Sequence, residues 1–104
     1  MNTMTANELM SGLPGEELVR AGLADLRAGR RTVPSCLAAI ILPRLRRAAL
    51  IDEVPGDLAC DAELALYRLL RESGGDAYSR YNALLREVVS FESALDFRCR
   101  QFAR

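Results

Sequence analysis

The chain has 104 residues, half of them apolar and 27% charged, and its 14 basic side chains balance 14 acids to a formal net charge of zero. Such a length makes one domain with a modest core, and zero net charge excludes a molecule that attracts polyanions by bulk charge alone. There is no histidine and no lysine, which removes the usual general base, the common zinc ligand sets and amine nucleophiles.

The charges are unevenly placed. Seven arginines stand against the single acid Asp25 between Arg20 and Arg47, and Asp52, Glu53, Asp57, Asp61 and Glu63 follow with no base among them. The all-arginine usage reads first as GC-rich coding, and second as selection for the planar, bidentate guanidinium. Cys36, Cys60 and Cys99 are widely spaced and form no CxxC pair. They are expected to be unpaired, metal-free packing residues in a reducing compartment, and no cofactor is expected. Residues 1–10 lack the basic and apolar regions of a secretory signal. The longest apolar run, 36–42, is far shorter than the ~20 residues that span a bilayer. The expectation is a soluble, cytoplasmic protein.

In chain order, Met1–Thr3 should be frayed. Thr5 and Glu8 have the spacing of a capping box, so residues 1–12 read as a short helical turn or partial disorder. A first full helix begins around Leu13 and Pro14 and ends near Gly29. It carries Leu18, Val19, Leu23 and Leu26 on the side of Gly22, where a close approach by a second helix would explain the glycine. Thr32 caps a second helix that is apolar on all sides over 36–42, and Pro43 is expected to kink or break it. Val54, Pro55 and Gly56 form a turn that leaves Asp57 free to cap a third helix over about 58–72. That helix spreads Ala59, Cys60, Ala62, Leu64, Leu66, Tyr67, Leu69 and Leu70 over a wide apolar arc. Gly74 then stops one helix and Asp76 starts the next. The last helix, 76–104, sets Tyr81, Leu84, Val88, Phe91, Leu95 and Phe102 at alternating three- and four-residue spacing, interrupted only by Arg98. No segment alternates with period two. The pattern predicts an all-α, single-domain bundle of four main helices, the C-terminal one longest, with a short extra turn at the N-terminus.

Function is less legible. The acid pairs Glu16/Glu17 and Asp52/Glu53 sit at a helix start and in a turn, and no glycine-rich phosphate loop is present. An enzyme with an unrecognised site is therefore the weakest reading. An arginine-lined nucleic-acid-binding subunit would use Arg30, Arg31, Arg44, Arg46 and Arg47, although arginines in a helix's last turn also complement its dipole. The patch 79–82, containing Arg80 and Tyr81, is either a recognition surface or Tyr81 packed on the bundle. The last helix outruns the others by about ten residues by these boundaries, so 93–102 should project. Covering it in trans would make the chain a non-catalytic interaction module (adaptor, assembly subunit or regulator), homodimeric through Phe91, Leu95, Phe97, Cys99 and Phe102, with Arg98 at the interface rim. Folding back of the helix near Ser90 or Ser93 is the alternative.

Overall fold

A computed structural model of the protein describes residues 5–54 and 56–102; among them are six α-helices and no strand. They are α1 (Ala6–Met10), α2 (Glu16–Arg27), α3 (Val33–Ile40), α4 (Leu42–Arg47), α5 (Ala62–Glu72) and α6 (Ala77–Phe102). The all-α expectation holds, with the expected second helix divided into α3 and α4. The expectations for Met1–Thr3, Pro55, the last two residues and the Phe102 side chain lie outside the described residues.

Local signals account for most of the boundaries. The Thr5 hydroxyl accepts the Glu8 amide while the Glu8 carboxylate accepts the Thr5 amide, a complete capping box on α1. Thr32 caps α3 in the same reciprocal way with Ser35. Asp76 accepts the amide and hydroxyl of Ser79 at the head of α6, and these bonds hold its carboxyl below the usual range. Pro43 cannot donate to the Ala39 carbonyl, so the helix breaks at Ile41, whose amide turns to Leu37 and Ala39, and restarts at Leu42.

One boundary differs from expectation. Asp57 does not cap α5: a run of turns carries the chain to Asp61, which takes a left-handed conformation (φ 51) with no side-chain cap. Ala59 and Cys60 therefore precede the helix and are exposed, and Leu64 faces solvent. The apolar face of α5 is the narrower set Ala62, Leu66 and Leu70.

The core forms where α3 packs on α2, α5 and α6. Gly22 makes the α2–α3 approach possible, because a Cβ there would overlap the carbonyl oxygen of Pro34 and lie 2.8 Å from the Ala38 methyl. Val19, Leu23 and Leu26 of α2, Cys36, Leu37 and Ala38 of α3, Leu45 of α4, Leu66 and Leu70 of α5, and Val88, Phe91 and Leu95 of α6 belong to one buried cluster. The projection expected of 93–102 is absent at Leu95, which is buried, while Phe97 is exposed. α1 packs on the helix, and α4 is tied to it by Arg44, which bonds Asp96 at 2.9 Å and lies 3.7 Å from Glu92.

Candidate interaction surface

The five residues assigned to an interface from sequence are divided by the structure. Phe91 (0% exposed) and Leu95 (2%) are core residues of this chain, and their removal from the candidate surface corrects the sequence reading. The reading counted helix lengths and so missed that two short helices, α1 and α4, lie against the distal part of α6. Cys99 is half-buried beside Arg44, Arg47 and Leu95. Phe97 points outward at 59% exposure, and the Phe102 side chain is outside the description.

What α6 leaves uncovered runs along its flank. Tyr78, Asn82, Leu85 and Val89 fall at four–three–four spacing, about a third of a turn around the helix from the core-facing row Leu84, Val88, Phe91 and Leu95. Tyr78 is 67% exposed and Val89 52%, with Leu85 and Asn82 partly covered. Beyond Val89 the same flank continues through Glu92 and Asp96, where Arg44 closes over it. Beside the open stretch stands an aromatic edge: Tyr67 of α5 and Tyr81 meet edge-to-face at 5.9 Å. Tyr78 is three residues before Tyr81 on the same helix and is exposed. Burial, then the neighbouring Glu63 carboxylate, pushes the Tyr81 phenol up. The sequence reading passed over Tyr78, Leu85 and Val89 because the core row is stronger; their own heptad spacing was the available signal.

The arginines proposed for nucleic acid are largely engaged within the molecule. Arg30 forks onto Asp25. Arg31 donates to the Asp57 carbonyl and Arg46 to that of Asp52. Arg44 is held by Glu92 and Asp96, while Arg47 is exposed with no ion pair among the described residues. The same use recurs elsewhere, with Arg27 on the Leu50 carbonyl and Arg98 on those of Glu8, Leu9 and Ser11. Guanidiniums here fasten loops by their carbonyls, which suits their several fixed donors.

Cys36 is buried, Cys99 half-buried and Cys60 exposed, so the expectation of three packing cysteines is corrected at Cys60. Burial raises both the Cys36 and Cys99 thiols, which leaves them poor nucleophiles. Among the described residues no group of three or more potential ligands is placed to hold a metal ion. Among the described residues no helix is long and apolar enough to cross a membrane. Two concavities are open grooves: one of about 670 Å³ runs past Arg31, Cys60, Leu64 and Arg68, and another of about 690 Å³ past Ile40, Pro43 and Glu63. Their walls mix opposite charges around exposed aliphatic groups, an arrangement suited to surface contact.

Comparison with known proteins finds no protein-family model, curated protein or solved structure that matches this chain.

Proposed function

We propose that the chain is a non-catalytic, cytoplasmic protein-interaction module that self-associates through the flank of α6. The observation that carries this reading is the exposed pair Tyr78 and Val89, in one heptad-spaced row with the half-buried Leu85 on the longest helix, with the Tyr67–Tyr81 pair beside it. A row so spaced is the seam by which one helix packs on another, and leaving a large apolar side chain in water forgoes ~1.5–3 kcal/mol. Tyrosine adds a rigid ring and a polar tip, the combination enriched at the centre of interfaces. A second copy offers the same row by two-fold symmetry, and two such rows side by side bury each other. Phe97, on a different side of α6, is left for a second contact.

Sedimentation at concentrations up to about 100 μM tests the reading, a range in which an interface of moderate strength populates its dimer. The expected result is a concentration-dependent dimer for the natural chain and a folded monomer for Val89→Asp, with an unchanged thermal melt. A natural chain that stays monomeric throughout removes self-association by this face. So does a Val89→Asp variant that dimerises as before.

A further inference from the structure

We propose that α1 is a detachable strap, latched onto the body of the protein chiefly by the guanidinium of Arg98, and that it opens as a unit while the remaining helices stay folded. The inference does not depend on the flank of α6 being an interface. It starts from the size of α1, which at five residues is far too short to persist as an isolated helix, so whatever holds it in place also keeps it helical. Packing supplies little of that hold. Ala6, Asn7 and Glu8 are exposed, Leu9 is half-buried, and only Met10 is enclosed.

Charge on backbone supplies the rest. One nitrogen of Arg98, Nη1, lies within hydrogen-bond reach of the carbonyls of Glu8, Leu9 and Ser11 at 3.2, 3.1 and 2.7 Å. Arg20 donates to the Asn7 carbonyl at 3.0 Å. Those carbonyls lie in the last turn of α1 and at its C-cap Ser11, the end that carries the negative pole of the dipole, and the Asn7 carbonyl also accepts the Ser11 amide. The guanidinium comes from α6, some 90 residues along the chain, so letting go of it leaves α1 held only by the Arg20 bond to Asn7 and the enclosed Met10.

The fold also provides a hinge. Gly12 has a φ of +81, and a Cβ there would meet nothing within 4 Å. Leu13 directly after it is buried again, which ends the mobile unit at Gly12. When the strap lifts, Arg98 recovers its free donors, and the part of α6 around it is uncovered as a seat for the carboxyl end of a helix, the chemistry that α1 itself presents there.

Hydrogen exchange on the whole chain, read amide by amide, tests this. The Leu9 and Ser11 amides are bonded within the strap, and those of Cys36 and Leu45 within the body. The expected result is a single shared protection for Leu9 and Ser11, about a hundredfold below that of Cys36 and Leu45, because a sub-global opening exposes them first. Arg98→Gln should lower the strap's protection by about a further tenfold and leave Cys36 and Leu45 unchanged; Arg98→Lys should fall between, keeping the charge but not the geometry of the guanidinium. The proposal is overturned if the four amides exchange together in the natural chain. It is equally overturned if Arg98→Gln leaves the strap unaffected, or lowers protection everywhere by one factor.

Discussion

Replacing Gly22 by alanine tests the central contact of the fold. Two effects oppose each other. Alanine is favoured over glycine by about 1 kcal/mol inside a helix. Against it, the new methyl would overlap the Pro34 carbonyl oxygen and come within 2.8 Å of the Ala38 methyl and 3.0 Å of the Pro34 carbonyl carbon. Those obstacles are α3 backbone and a methyl on that backbone, and no flexible side chain stands between them to swing aside. The two helices must part, and they form the most extensive helix pair in the molecule, carrying Val19, Leu23 and Leu26 against α3. Overpacking of this kind costs ~1–3 kcal/mol, occasionally more, and separation of α2 from α3 puts this case at the upper end. A net loss of about 2 kcal/mol would lower the Tm of a chain this size by about 8–16 °C. Thermal and urea melts measure it, with Gly29→Ala as comparison, because Gly29 has positive φ but open space around it. A Gly22→Ala protein that melts at or above the natural one would refute the close-approach argument.

Leu95→Ala should destabilise the chain by ~2–5 kcal/mol without changing its oligomeric state, since Leu95 is 2% exposed in the chain's own core; a stable protein altered only in self-association would restore the distal end of α6 as an interface. Asp25 accepts the Thr32 hydroxyl at 2.6 Å and the fork of Arg30, which hold its carboxyl below the ordinary value. Its folded value being depressed, the stability it adds is present above the unfolded value of about 3.9 and is lost as pH falls through the folded one. Asp25→Asn should therefore flatten the acid limb of the stability profile, and an unchanged limb counts against the assignment. Titration with generic duplex and single strands at ~50 mM salt should show no binding, since Arg30 and Arg44 are ion-paired and Arg31 and Arg46 donate to carbonyls; binding that weakens steeply with salt would revive the arginine-lined reading.

The parts of the fold written in short-range chemistry were legible in the sequence. The Thr5–Glu8 box, the Thr32 cap, the Asp76 cap and the break around Pro43 each depend on residues within four positions of one another, and each is found. Gly22 was legible for a different reason: glycine inside a helical pattern needs a cause, and close approach is the commonest. What escaped were conformations with no local signature. Asp61 and Ala49 take positive φ, which side chains of their kinds seldom adopt, and the first of these sets where α5 begins. A later start removes Ala59 and Cys60 from the helix and leaves Ala62, Leu66 and Leu70 to fix its buried face, so Leu64 falls outside the core. The arginine contacts were hidden because their acceptors are carbonyls 6 to 90 residues away, and every residue type has a carbonyl.

Arg98 shows how such long-range contacts redirect a functional reading. As an interruption of an apolar row it looked like the rim of an interface, on the premise that a helix longer than its neighbours must overhang them. Short elements laid in succession remove that premise. Tyr67 of α5 meets α6 at Tyr81, and the Gly15 turn lies against Glu87. Arg44 of α4 reaches Glu92 and Asp96, and α1 is held at Arg98. The row from Val88 to Leu95 is thereby buried from within the chain, with the charge at 98 spent on the α1 carbonyls. The large apolar side chains that α6 leaves exposed are Tyr78 and Val89 along its flank and Phe97 nearer its end. The contact proposed above accordingly runs along the side of α6, with Phe97 exposed beyond it.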